Sequence, residues 1–227
     1  MKAKHFYLII LLALLVPVTA FSQRAAESRS SIGILGGVNF QNLNGKDIGG
    51  SSLDNDILIG FHAGLNAQMA IAPEFYFQPG LMFSTKGAKS SEGAVSSTYK
   101  LSYIELPLNL VYKAMVGNGY VFLGFGPYVA YGINGKATYE GGPVSIDTDI
   151  KFKNKVNSDD PLTTVYIKPL DAGANLFFGY ELQSGLFLQL NTQLGLLDIS
   201  PEDNRITDDN QSTLKNTGFG LSLGYRL

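Results

Sequence analysis

The chain contains no cysteine. That removes disulfides, thiol chemistry, cysteine-based metal sites and a lipidated N-terminal cysteine in one step. Charge is also scarce: 16% of residues are Asp, Glu, Lys or Arg, against about 25% in ordinary soluble domains. The formal net charge of −2 lacks the basic excess that nucleic-acid binding uses, so no nucleic-acid partner is expected. Beyond the N-terminal leader no stretch shows helical periodicity. There is no phosphate-binding loop, metal-ligand cluster or catalytic-triad motif, so no cofactor, metal or enzymatic activity is expected. The glycine-rich "GILGGVNF" is a strand, because it lacks the helix that a nucleotide motif requires.

What the chain has in abundance is glycine (26), phenylalanine (14) and tyrosine (12), a mixture suited to strands and turns. Its first 22 residues stand apart. Lys2 and Lys4 precede the apolar run "FYLIILLALLVPV", and Ala20-Phe21-Ser22 places small residues at the two positions that a signal peptidase reads. Residues 1–22 are therefore expected to be a secretory signal peptide cleaved before Gln23. The run is too short, and too soon interrupted by Pro17, for a membrane anchor. Residues 23–227 form one domain with length enough for a full core.

Eight segments of period two follow, near 31–41, 58–71, 73–86, 99–115, 120–134, 165–181, 185–197 and 214–227. The connections alternate in length. "IAP", "VGNG" and "LQSG" are tight hairpin turns. The loops 42–57, 87–98, 135–164 and 198–213 are long and polar. In an up-and-down barrel this alternation gathers short turns at one end and long loops at the other. The strands split into two faces. In strand 2, Ile59, Phe61, Ala63, Leu65, Ala67 and Met69 oppose Gly60, His62, Gly64, Asn66 and Gln68. In strand 4, Ile104, Leu106, Leu108, Leu110 and Tyr112 oppose Tyr103, Glu105, Pro107, Asn109, Val111 and Lys113. A soluble lipocalin-like barrel would put the apolar face inside and a charged face in water. The polar face here is mostly Gly, Asn, Gln, Ser and Tyr, which suits a crowded lumen. Tyr112, Tyr131, Tyr180 and Tyr225 sit near the ends of the apolar stripes, as interfacial girdles require. The expected fold is all-β: an eight-stranded antiparallel up-and-down transmembrane β-barrel.

The stretches "ILGGVNFQNLNG" (34–45), "GFHAGLNAQMAIAPEFYFQPGLMFSTKG" (60–87), "YIELPLNLVYK" (103–113), "VFLGFGPYVAYGI" (121–133) and "GFGLSLGYRL" (218–227) together resemble the PorT-like, "porin family" outer-membrane β-barrel domain of Bacteroidota. The Tyr-Ile-Glu-Leu-Pro core is the most specific of them, and the likeness spans nearly the whole mature chain. The resemblance implies an eight-stranded barrel in the outer membrane and no single shared activity. The name-giving member of the family is linked to secretion and gliding machinery. The chain ends in Leu227 rather than the terminal aromatic of many assembly signals, with Tyr225 close by.

A rise of about 3.3 Å per residue and a tilt near 40° place the lumen charges. Glu74, Lys113, Glu181 and Arg226 fall near the periplasmic end, with Glu74 and Lys113 on neighbouring strands and able to pair. His62, Glu105 and Asp171 fall at similar heights in the outer half, with Tyr128 and Gln193. This polar cluster is either a constriction for a small solute or an internal plug. An eight-stranded barrel is just wide enough for side chains to fill, which favours the plug. His62 is the only histidine beyond the leader, and catalysis would need a nucleophile beside it and a third group to orient it. The acidic loop "DISPEDNRITDDNQS" offers oxygen ligands, but its spacing matches no EF-hand, so a solvated loop is expected. In the third loop, the alternation of "IKFKNKV" suggests strand extensions above the membrane.

Three functions follow. The first is a structural or interaction protein of the envelope, embedded in outer-membrane lipid, delivered by the barrel assembly machinery and meeting a protein partner through its long outer loops. The second is a narrow porin-like channel for small solutes or ions. The third, most distant, is a lipid-modifying enzyme using His62. Across Pro107 the apolar parity runs unbroken, so a missing hydrogen bond and a slight bend are expected there, without a one-residue bulge.

Overall fold

Alternation along the chain becomes pairing across it. The computed structural model describes residues 30–93, 95–205 and 210–227; the signal peptide expected over residues 1–22 lies outside the described residues. Residues Ser31–Leu227 form one compact unit. Its strands are β1 (Ser31–Lys46), β2 (Leu58–Ala72), β3 (Phe75–Glu92), β4 (Val95–Val116), β5 (Gly119–Gly141), β6 (Val144–Asp149), β7 (Lys151–Phe152), β8 (Lys155–Val156), β9 (Tyr166–Ile167), β10 (Leu170–Leu182), β11 (Leu186–Gly195), β12 (Glu202–Asp203) and β13 (Thr213–Arg226).

Eight of these build the barrel wall in the order β1-β2-β3-β4-β5-β10-β11-β13. Every neighbouring pair is antiparallel. The ring closes where β1 meets β13, from Gly33 opposite Arg226 to Lys46 opposite Thr213. Closure leaves the wall without a free edge, which is what lets strands lie in a membrane. The outward positions are apolar and exposed, as with Ile59, Phe61 and Leu65 on β2 and Leu186, Leu188 and Leu190 on β11. An exterior of this kind is a lipid-facing belt. The inward positions carry small and amide side chains, buried at Asn39, Asn66, Gln78, Asn109 and Gln189.

The ends of the strands differ from the sequence reading. Residues 87–98, expected as a long loop, are largely strand: β3 and β4 continue to Glu92 opposite Val95. β5 likewise runs on to Gly141 and turns back through β6. The chain within 150–156 forms β7 and β8, which make short parallel pairs with β9 and β12. Beyond the apolar belt the wall therefore rises into a folded cap.

Pro107 behaves as its parity indicates. Pairing with β5 keeps one register on both sides of it, Pro107 opposite Tyr128 and Leu110 opposite Phe125. Glu105, Pro107, Asn109 and Val111 all face inward, and Ile104, Leu106 and Leu108 face out. A bulge does occur higher up. The β4–β5 register shifts between Ser102 and Tyr103, and Ile133 and Asn134 are both exposed. Counting by twos from the inward Gly132 would put Asn134 in the lumen, but it lies outside. The extra residue reverses the faces, so Gly135 and Ala137 turn inward under the cap.

Two apolar clusters occupy the interior. At the long-loop end Leu43, Ala88, Leu101, Tyr103, Tyr128 and Ala130 from the wall pack against Ile150, Ile167 and Ile199 from the cap. Phe152 reaches down over Gly132, where a Cβ would overlap its ring. Near the short-turn end Val111, Phe122, Phe177 and Phe187 pack together. Phe122 meets both Phe177 and Phe187 edge-on, with centroids 6.2 and 6.1 Å apart.

Candidate functional site: charged layers in the lumen

The parity of β3 runs inward through Gln78, Gly80, Met82 and Ser84 to Lys86. Lys86 is 1% exposed and is the centre of the upper polar layer. Its Nζ lies 2.9 Å from Glu105 Oε1 on β4 and 3.0 Å from Asp171 Oδ2 on β10. The ammonium also sits over the rings of Tyr128 and Tyr103, 4.4 and 5.2 Å from their centroids. Two carboxylates and two aromatic faces together replace the water that this cation has lost.

The rest of the layer hangs on those carboxylates. Asp171 Oδ2 accepts from the Tyr128 hydroxyl (3.2 Å) and from Asn216 Nδ2 (2.9 Å). Glu105 Oε2 accepts from Gln193 Nε2 (3.1 Å), which also donates to Asn175 Oδ1 (3.0 Å). Glu105, Tyr128, Asp171 and Gln193, expected at one height, are thus joined through Lys86. His62 is not bonded to them. Its Nδ1 lies 2.6 Å from Asn39 Oδ1 and its Nε2 2.7 Å from Ser222 Oγ.

The lower layer is built at the short-turn end. Glu181 Oε1 accepts from Lys113 Nζ (2.7 Å), and Glu181 Oε2 accepts from Arg226 Nε (3.0 Å). Arg226 also donates from Nη1 to Asn66 Oδ1 (3.1 Å). Lys113 lies over the Tyr120 ring at 4.7 Å. Glu74 does not belong here. It occupies the β2–β3 turn with φ +64°, is exposed, and accepts from the Tyr112 hydroxyl on the outer face (3.0 Å). It meets Lys113 only through the backbone, where its carbonyl accepts from the Lys113 N–H (2.8 Å). The expected Glu74–Lys113 pair is corrected to Glu181–Lys113, because Glu74 sits in the turn, outside the alternating stretch.

The two layers carry opposite excess charge. Lys86 stands against two carboxylates; Lys113 and Arg226 stand against one. Between them lies a cavity of about 90 Å³, bordered by His62, Asn39, Glu105, Asn109, Asn191 and Ser222 among others. That is room for roughly six waters. Among the described residues no group of three or more His, Asp or Glu side chains is placed to hold a metal ion. In the acidic loop, Asp198 Oδ1 accepts from the N–H groups of Ser200 and Leu214 (3.0 and 2.8 Å), and Asp203 pairs with Arg205 (2.6 Å).

Lys86, Asn39 and Ser222 were absent from the expected site. Lys86 could have been found by running the β3 parity two residues past Ser84. Asn39 and Ser222 carry no local signal, since each is an ordinary lumen residue until the ring closes.

The chain is similar to several solved structures that share little of its sequence. Ail, the attachment invasion locus protein of Yersinia pestis, is 14% identical over 88% of this chain and 99% of its own, with a TM-score of 0.37. Neisserial surface protein A is 12% identical over 88% of this chain and 98% of its own, with a TM-score of 0.42. The toluene transporter TodX of P. putida is 8% identical over 89% and 90%, with a TM-score of 0.19. No curated protein matches the chain. The profile of the outer membrane protein beta-barrel domain matches residues 21–200, most of the chain, and with the closed eight-stranded ring it establishes that the chain belongs to the outer membrane protein beta-barrel domain family.

Proposed function

We propose that this is a structural or interaction protein of the cell envelope, whose closed barrel anchors a folded cap for contact with a protein partner. The observation that carries this reading is the closure of the lumen at its long-loop end. The Lys86 layer is buried among Glu105, Asp171 and Tyr128, and Ile150, Ile167 and Ile199 of the cap cover it. An ion crossing would have to displace both, and moving it past a dry apolar layer is costly. The short turns are assigned to the periplasm and the cap to the outside. Residues 1–22 are assigned as the leader, so the mature protein should begin at Gln23, which intact-mass measurement reads directly. The kinship within the family is proposed to be with its PorT-like members, through "YIELP" at 103–107.

Planar-bilayer recording tests the closed lumen. The folded protein is expected to give no reproducible conductance. Steady conductance that changes on Glu105→Gln would instead establish the narrow channel. Crosslinking from cap positions such as Lys155 and Leu162, both exposed, tests for the partner. A cap that captures nothing specific in intact cells would leave only the anchoring role.

A further inference from the structure

His62 and Ser222 lie 160 positions apart in sequence, yet both sit opposite Gly37 of β1. With no side chain between them, the imidazole reaches across β1 to the serine. The hydrogen bonds around the pair fix their own directions. Asn39 Nδ2 donates to Ser84 Oγ (3.1 Å) and to the Thr85 carbonyl (3.4 Å). The atom Asn39 turns to His62 is therefore its oxygen, which can only accept. The imidazole proton then belongs on Nδ1, leaving Nε2 bare 2.7 Å from the Ser222 hydroxyl. Asn191 Nδ2 donates to Ser222 Oγ from the other side (3.0 Å). His62, Asn39, Asn191 and Ser222 all border the lumen cavity.

We propose that Ser222, His62 and Asn39 are a nucleophile, base and orienting group that react with a small electrophile admitted to this cavity, the substrate class being short-chain acyl esters. A nucleophile within reach of a base that a third group orients is the geometry such chemistry requires, on any fold. Ser222 Oγ attacks the acyl carbon while its proton passes to His62 Nε2. The ester C–O bond breaks and the alcohol departs with that proton. Water, deprotonated by the same Nε2, then attacks the acyl-serine, releasing the carboxylic acid and restoring the hydroxyl. Asn191 supplies an amide donor beside the reacting centre. Asn39 is a positioning residue: it holds the tautomer. The cavity volume restricts the acyl group to a few heavy atoms.

Methanesulfonyl fluoride, small enough for the cavity, tests the proposal on the full barrel in detergent. Ser222 Oγ displaces fluoride from sulfur and loses its proton through His62. Peptide mass mapping should find the sulfonyl group on Ser222, although many other serines are far more exposed. His62→Gln should slow that labelling by about 100-fold or more. Asn39→Leu should slow it and Asn39→Asp restore it, which loss of packing would not produce. Heat-modifiable migration on gels checks that each variant is folded. The proposal is overturned if wild-type protein is labelled on other hydroxyls in proportion to their exposure while Ser222 stays free. It also fails if Ser222 labelling is indifferent to His62→Gln in a folded barrel. Should the variants not fold, the site mapped on wild-type protein decides alone.

Discussion

Lys86 shows how one buried charge organises a layer. Replacing it with methionine keeps much of its volume but leaves Glu105 and Asp171 facing each other without a cation. Removing one partner of a buried ion pair costs about 3–5 kcal/mol, because the remaining charge stays desolvated. Lys86→Met is therefore expected to lower the denaturant midpoint of the barrel in lipid vesicles by that equivalent. Restoring neutrality with Lys86→Met/Asp171→Asn/Glu105→Gln should recover part of the loss. A single variant as stable as the wild type would show that the layer does not depend on its cation. The sequence made four of this layer's members legible because parity alone sends a residue inward. Lys86 stands at the very end of the expected 73–86 segment, where Thr85 follows Phe83 on the outward face and no apolar contrast marks which way the lysine points. Glu74 misled for the opposite reason: it lies in the turn, where parity no longer applies.

At the scale of the strand, Pro107 is informative because nothing shifts around it. Pro107→Ala returns an N–H and removes a ring that packs beside Gly80, where an added Cβ would lie 3.1 Å from the proline Cγ. Register should survive, since it is set by the lipid-facing Ile104, Leu106 and Leu108 on one side and Glu105 and Asn109 on the other. Stability should change by about 1 kcal/mol or less. Cysteine-accessibility scanning of residues 103–112 checks this: inversion of the accessible set in the variant would refute it. The β5 bulge was not legible, because Gly132, Ile133, Asn134 and Gly135 present no contrast that marks where the period slips. The hairpin extensions were hidden likewise, since with neither face in lipid they have no apolar stripe.

The cap adds an acid response of predictable sign. Hydrogen bonds from Lys136 and Thr138 hold Asp147 below the usual carboxylate range, those from Lys153 and the Asn157 N–H do so for Asp160, and those from Arg205 for Asp203. A carboxylate whose folded pKa is depressed adds stability above its unfolded value, near 3.9. That stability is lost as pH falls through the folded value. Amide exchange in residues 144–160 and 198–205 should therefore be unchanged, after correction for intrinsic rates, from pH 7 to pH 5, and accelerate only below the ordinary carboxylate range. Loosening of the cap already at pH 5 to 6 would contradict these contacts. The Lys136–Asp147 pair is exposed, so it is worth little and is screened by salt, whereas the Arg205–Asp203 pair is more shielded.

For the molecule as a whole, the eight-stranded ring was readable because two constraints reinforce each other: period two on the wall and alternation of short and long connections. What no strand reveals by itself is how opposite walls meet. Ser222 finds His62, and Lys86 finds Asp171, only after β13 returns to β1 and β10 to β5. A closed barrel also predicts behaviour. The folded protein should need detergent, run faster on gels before heating than after, and resist proteolysis along the wall. A monodisperse monomer in plain buffer would be incompatible with the apolar belt.

The opposite imbalance of the two lumen layers has one more implication. Placed in series along one bore, they act as back-to-back barriers of contrary sign. A cation rising from the short-turn end first meets the surplus positive charge around Lys113 and Arg226. An anion descending from the cap first meets the surplus negative charge around Glu105 and Asp171. Even if thermal breathing parted the apolar clusters for an instant, a leak of either kind would be turned back at the layer of its own sign. The barrel is insulated twice, once by oil and once by polarity.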